Sequence, residues 1–343
     1  MTKFLFRIIL LSLAAMLLIA ALYYYDLKGY QKIKYPFARV ITNKIKPEIK
    51  TSFDFKPHHF TRIIGINGRT CYLLMDDRSA VFALDMQKNR LEKIVSSSDV
   101  IINGLLLNNN IFLLHRDKFE ILSNDADSIR LLEKKPVYIV PNKSLFTDSL
   151  HMIGRIPADS SFLKFKFGIL TLDGKVKKIE SGISEDITDG GLSTDGFLCQ
   201  SNGLVFFVYH YGDRITCFDT SLSLKYHAKT IDKFNNKLPG VFQDTVTKSF
   251  SFSGPRRINH LIGFANEKFL FINSVIKSST ELSSVFRNSF TTDIYDAKDG
   301  RYLQSFHIHD IDINKVRDAK LANNKLYLLL ETKLVVYECP GIF

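Results

Sequence analysis

The sequence predicts an all-β fold, a β-propeller of six four-stranded blades, with one N-terminal transmembrane helix. Three observations predict it. A polar turn leading into a strongly apolar run recurs along the 343 residues. A turn-forming acid or amide follows each run at near-regular spacing, and helical periodicity is scarce beyond residue 58.

The apolar runs come first. They are "GRTCYLLMDD" (68–77), "NNNIFLLHRD" (108–117), "SNGLVFFVYH" (201–210), "NEKFLFINSV" (266–275) and "NNKLYLLLET" (323–332). Each precedes a strand that ends in an acidic or polar turn, as in "AVFALDMQKNRLEKIV" (80–95) and "RITCFDTSLSLKYHAKT" (214–230). Marking those turns at Asp85, Asn124, Asp173, Asp219, Asp296 and Glu338 gives spacings of 39, 49, 46, 77 and 42 residues. Four of the five match a four-stranded blade, which takes about 40–50 residues. The long one predicts an insertion, either in "KLPGVFQDTVTKSFSFSGP" (237–255) or in "KSSTELSSVFRNS" (277–289). In "YDAKDGRYLQSFHI" (295–308) the two apolar runs read as strands and Asp299–Gly300 as the turn of an outer hairpin.

Lone four-stranded sheets leave both faces in water. Radial stacking buries them and leaves only short edges. A β-sandwich also offers short strands and turns, but the long, regular spacing favours the propeller. The third repeat departs from the pattern, because "SSFLKFKFGIL" (160–170) lacks a clean preceding turn. Segment 56–66, "KPHHFTRIIGI", is expected to lend a strand to the last blade and close the ring.

Residues 8–25, "IILLSLAAMLLIAALYYY", carry no charge and follow Lys3 and Arg7. Such a stretch is a signal peptide or an uncleaved anchor. The best small-residue cleavage site, Ile19–Ala20–Ala21, is poor at its first position, and the run continues into Tyr23–Tyr25. Those tyrosines suit a membrane interface, so the anchor is favoured. The predicted division is a helix over 1–25, a basic juxtamembrane stalk over 26–57 and the propeller over 58–343. Lys and Arg near the span favour its C-terminal side as the inner one, whereas large domains translocate despite flanking charge. Export of the body is the preferred reading, with the propeller periplasmic or extracellular.

Net charge is +11, yet residues 1–62 hold eleven Lys and Arg against three Asp and Glu. The remainder carries 35 bases against 32 acids and is close to neutral. Nucleic-acid binding by the body is therefore not expected. Trp is absent while Phe numbers 28, which argues against WD-type repeats.

Candidate chemistry is scattered. Cys71, Cys199, Cys217 and Cys339 fall on predicted strands, as disulfide candidates in an oxidising compartment or as buried thiols. "SEDITDGGLSTDG" (184–196) gathers Glu185, Asp186, Asp189 and Asp195 on a Gly-rich loop, a possible calcium site although not of EF-hand order. "SGPRRINH" (253–260) sets Arg256 and Arg257 beside His260, a candidate clamp for a carboxylate or phosphate. His58–His59 and the strand pair His307–His309, the latter beside Asp310 and Asp312, are further polar clusters. No phosphate loop, Gly-x-Ser-x-Gly elbow or HExxH helix occurs. No cofactor is predicted and the catalytic residues are unknown.

The strand–turn–strand units, with Asp85, Asp173, Asp219 and Asp296 closing the third strand, resemble the NHL/YVTN/quinoprotein type of β-propeller over residues 58–343. Combined with the N-terminal segment, the chain is similar to envelope proteins of Bacteroidetes-like bacteria. That resemblance implies an exported, anchored propeller and brings no activity with it. The expected function is a binding or interaction module in the cell envelope, with an unknown protein or small-molecule ligand on one propeller face. The alternative is an enzyme, a lyase or hydrolase or a quinoprotein-like redox protein, with its site at the channel mouth.

Overall fold

The computed structural model describes residues 2–31, 37–42, 44–125, 128–234, 238, 240–244, 246 and 249–342. Helix α1 (Thr2–Gln31) comes first, and its described large apolar side chains, from Phe6 to Tyr24, are exposed. Among the described residues no helix is long and apolar enough to cross a membrane. The spanning segment expected over 8–25 thus finds no support in the fold.

Six four-stranded antiparallel sheets follow. β1 (Glu48–Asp54) belongs to the last of them. Blade one is β2 (Phe60–Asn67), β3 (Thr70–Met75), β4 (Ala80–Asp85) and β5 (Arg90–Ser96). Blade two is β6 (Ile101–Leu107), β7 (Asn110–His115), β8 (Lys118–Asp125) and β9 (Ser128–Pro136). Blade three is β10 (Lys143–Phe146), β11 (His151–Pro157), β12 (Phe165–Thr171) and β13 (Val176–Ile179). Blade four is β14 (Gly196–Ser201), β15 (Leu204–Tyr209), β16 (Arg214–Asp219) and β17 (Leu224–Lys229). A small hairpin, β18 (Val241–Gln243) and β19 (Phe250–Phe252), precedes blade five. That blade is β20 (His260–Ala265), β21 (Phe269–Ser274), β22 (Ser289–Asp296) and β23 (Tyr302–His309), with the short helix α2 (Ser283–Arg287) between its second and third strands. Blade six is β24 (Val316–Ala322), β25 (Lys325–Leu330) and β26 (Lys333–Glu338), with β1 outermost.

Ring closure therefore differs from expectation. Segment 56–66 contains most of β2, the inner strand of blade one, while β1 pairs with β26 from Glu48↔Glu338 to Asp54↔Lys333. As an outer strand β1 buries only Phe53, so it lacks an apolar signature. Residues 48–54 lie within the stretch read as stalk and are part of the propeller. Ahead of them, Val40 and Thr42 bond to Ser305 on the edge of blade five, and Arg39 is buried there. Little stalk remains.

Period-two alternation explains the apolar runs. On β3, Cys71 and Leu73 face the seam with blade six, while Tyr72 and Leu74 face the seam with blade two. A second strand is thus buried on both sides, and its sequence reads as a continuous apolar block rather than an alternating one. Six apolar clusters result, one at each seam between neighbouring blades.

The recurrent turn acids cap outer hairpins. Asp85 Oδ1 accepts the backbone N–H groups of Gln87 and Lys88, and Asp219 Oδ1 those of Ser221 and Ser223. Burial would lift the Asp219 carboxyl, but Lys225, the Ser221 hydroxyl and these N–H donors hold it well below the usual range. In the hairpin between β22 and β23, Gly300 has φ +72° and no room for a side chain: a Cβ would lie 2.4 Å from Ala228 of blade four.

Both candidate stretches share the long spacing, one carrying β18–β19 and the other α2. In the third repeat the missing turn is "TDSL", where Asp148 caps Leu150 and His151 ahead of β11; "SSFLKFKFGIL" leads into the third strand.

All four cysteines are free and buried, which corrects the disulfide expectation. Cys199 and Cys217 flank Phe206 from β14 and β16, so β15 runs between them. Cys71 and Cys339 lie in different seams. Burial pushes the thiols of Cys71 and Cys339 up to about 12 and that of Cys217 to about 11, leaving them protonated small hydrophobes.

Candidate functional site

The meander topology sends every inner strand away from the same face of the ring. Connections between blades lie on that face, as do the loops joining second to third strands. It therefore carries the long segments: 180–195, the β18–β19 hairpin and the α2 insert. Two of them touch. A Cβ on Gly190 (φ +67°) would lie 2.4 Å from the Phe250 ring.

Below this face a polar belt stitches the inner strands around the axis. From β24, Asp318 Oδ2 accepts the Ile63 N–H at 2.9 Å and Lys320 Nζ donates to the Ile64 carbonyl at 2.8 Å. From β2, Arg62 Nη1 donates to Asn103 Oδ1 on β6, whose Nδ2 donates to Ser144 on β10. Lys143 pairs with Asp195 at 3.2 Å across the next seam. His210 then donates from Nδ1 to the His260 carbonyl at 2.7 Å. Five consecutive seams are bridged in this way.

The charges of the belt are unequal. Asp318 and Lys320 are two residues apart on one strand and so share a face. Both are half-buried, bonded to the backbone of β2. Burial pushes the Asp318 carboxyl up, against the pull of Lys320 and Arg62. It pushes the Lys320 ammonium down; Asp318 opposes that shift and Arg62 adds to it.

The sequence-predicted sites are not assembled. Glu185 pairs with Arg214, and Asp186 with Lys164 at 2.8 Å. Asp189 Oδ2 accepts the Ser193 N–H, while Asp195 is held by Lys143 and the Gly196 N–H. These acids point to separate partners, and among the described residues no group of three or more His, Cys, Asp or Glu is placed to hold a metal ion. The four acids proposed for calcium therefore lie apart in this fold, each on its own partner.

Arg256, Arg257 and His260 do not form a clamp either. Arg256 Nε donates to the Tyr211 hydroxyl at 2.7 Å and its guanidinium covers the Phe252 ring, which fixes the β18–β19 hairpin to blade four. Arg257 lies over Phe234. His260 is buried and turns inward: Nε2 is 2.9 Å from Asp232 Oδ2 and Nδ1 is 3.0 Å from the Tyr209 carbonyl. Both partners are acceptors, so both ring nitrogens carry protons and the ring is an imidazolium. His307 and His309 bond to Thr291 and Ser289 of the adjacent strand, His59 to Glu331, and His58 packs on Phe82.

A pH dependence follows from the buried pair. Burial lowers the His260 pKa, but Asp232 and the Tyr209 carbonyl outweigh it and raise the value above the ordinary 6.5. A raised base gives stability that is full below its unfolded pKa and is lost as pH rises through the folded one. Thermal stability is expected to fall on the alkaline side of about pH 6.5, as followed by circular dichroism. Asp232→Asn should flatten that limb and cost about 2 kcal/mol at neutral pH. An unchanged alkaline limb in the variant would show that other groups set it.

Arg62, Asn103, Ser144, Asp318 and Lys320 escaped the sequence reading. Their signal was faint: a charged pair two residues apart in the inner strand "VRDAKLA", one charge in "FTRIIGIN" and one amide in "IINGLLL".

This architecture defines the chain as a six-bladed β-propeller. Among solved structures it resembles a protein described as exported from Bacteroides fragilis, with a TM-score of 0.54 and 10% identity over 87% of this chain and 97% of that one. A member of the DUF4221 family from Bacteroides vulgatus gives 0.51 and 10% identity, over 87% of this chain and 98% of that one. The WD40 domain of Neurospora crassa Pan2 gives 0.50 and 8%, over 89% and 99%. At such identities the likeness is one of fold alone. No protein-family model matches the chain, and no curated protein matches its sequence.

Proposed function

We propose that this propeller is an exported binding module of the cell envelope, held at a membrane by its N-terminal segment, and that its ligand meets the loop-bearing face. One observation carries the reading: the three long segments rise on a single face, above the polar belt of the inner strands. Loops set on a rigid scaffold are where binding residues concentrate. The hairpin also presents Phe242 and Val246, 53% and 88% exposed, to solvent. Export accords with the B. fragilis likeness and with the apolar, exposed residues of α1.

The test places a photocrosslinking amino acid at Val246 on the loop face, and separately at Asn89 in an outer hairpin on the opposite face, in the full chain in intact cells. Discrete adducts are expected from Val246 alone, in a chain whose propeller is cut by protease added outside the inner membrane. Adducts from Asn89 alone, or from neither position, would remove the loop face as the binding surface. Protection of the propeller in spheroplasts would remove the export.

A further inference from the structure

We propose that the axial belt is an oxyanion site, and that the ligand of the loop face inserts a carboxylate or phosphate group between Arg62 and Lys320. This rests on the reading of that face as the binding surface. Two cations and one carboxylate meet at the junction of β2 and β24. Asp318 spends an oxygen on the Ile63 N–H, and among the described residues no carboxylate stands within ion-pair distance of Arg62 or Lys320. Among the described residues Lys320 has a single acceptor, the Ile64 carbonyl, and Arg62 a single one, Asn103 Oδ1. Donor hydrogens on both are therefore left for a ligand.

Arg62 is the third residue of β2, so its Cα lies roughly 7 Å along from the start of the strand on the loop face. It is solvent-exposed, although the next two residues of the strand, Ile63 and Ile64, are fully buried. An anion placed there balances the excess of Arg62 and Lys320 over the single carboxylate of Asp318. A planar guanidinium grips carboxylate or phosphate through parallel N–H bonds, and the ammonium adds a point charge. Other described cations of the loop face are engaged, Arg256 by Tyr211, Lys143 by Asp195 and Arg214 by Glu185, while Arg155 is closed off from solvent with its Nη2 on Gly191 and Thr194.

Calorimetric titration of the full chain at low ionic strength tests the site, with inorganic phosphate and succinate as probes. At least one is expected to bind saturably, about tenfold or more weaker in Arg62→Gln and within about threefold of wild type in Arg62→Lys. Arg317→Gln, which removes a cation paired with Glu331 on the same face, should leave binding unchanged. Hydrogen exchange of the wild-type protein provides a readout independent of variant folding: the probe should protect 60–66 and 316–322. Phosphate without succinate points to a phosphoryl group, the reverse to a carboxylate, and both to charge alone.

Failure of both probes, equal binding by Arg62→Gln, or protection confined elsewhere would overturn the proposal. Adducts at Val246 without anion binding would sink the oxyanion site and keep the loop face. Anion binding without those adducts would do the opposite.

Discussion

Arg39→Ala is expected to destabilise the propeller by about 3–5 kcal/mol, because removing one member of a buried ion cluster strands the others. The guanidinium is inaccessible to solvent and bonds to Asp293 through Nε at 2.6 Å, to Glu281 through Nη1 at 2.6 Å and to Ser274 through Nη2 at 2.8 Å. Ser305 donates to the same Asp293 oxygen, and His307 stands 3.2 Å from Glu281. Burial alone would lift the Glu281 carboxyl, yet His307 and Arg39 hold it down at about 2. A depressed acid gives stability that is full above its unfolded pKa, near 4.5, and is lost as pH falls toward the folded value. Urea titrations at neutral pH and through the range from about 4.5 to 2 check both statements. In Arg39→Ala the acid limb should flatten, because without the guanidinium the folded Glu281 pKa moves back toward its unfolded value. A loss under about 1 kcal/mol would show the cluster to be a weak surface-type pair. Adding Glu281→Gln and Asp293→Asn to the variant should recover part of the loss, since no buried charge is then left unpaired.

Phe60→Ala is expected to cost about 3–5 kcal/mol through lost burial and the cavity left behind. Phe60 is 0% exposed and sits edge-on to Phe55 and Phe82, with ring centroids 5.0 and 5.4 Å away. Those rings belong to the seam between blades six and one, where the two ends of the chain meet. Phe242→Ala, on the exposed hairpin, provides the contrast and should shift stability by no more than about 0.5 kcal/mol. Chemical denaturation of the two variants separates the effects. Equal small losses would mean that the seam repacks around the missing ring.

Much of the ring was legible in the sequence because second strands are buried on both faces, and their apolar blocks stand out between Gly, Asn and Asp turns. The acids at Asp85, Asp219 and Asp296 marked third-strand ends because a carboxylate caps the hairpin that follows. β1 was hidden for the opposite reason: an outer strand needs one buried face, and "EIKTSFD" buries only Phe53. β10, with four residues, was too short to show a period. The acids around 185–195 looked like a cation site because sequence proximity was read as convergence, whereas each carboxylate is drawn to a different cation or N–H group. The axial belt was invisible from the other direction. Arg62 and Asp318 lie at opposite ends of the chain and meet only because the ring closes.

That closure also sets an order of events. β1 is among the first strands to be synthesised and β26 is the last, and Glu48 pairs with Glu338. Until the C-terminal strand arrives, blade six has no third strand for β1 to join, and the seam around Phe60 lacks half its wall. The chain thus remains an open arc of blades while it is being made, and becomes a ring only at the end. A cut anywhere between Arg39 and β1 would detach Arg39 from the strand that locks the circle, so any trimming of the N-terminal segment compatible with the full arrangement has to stop short of Phe37.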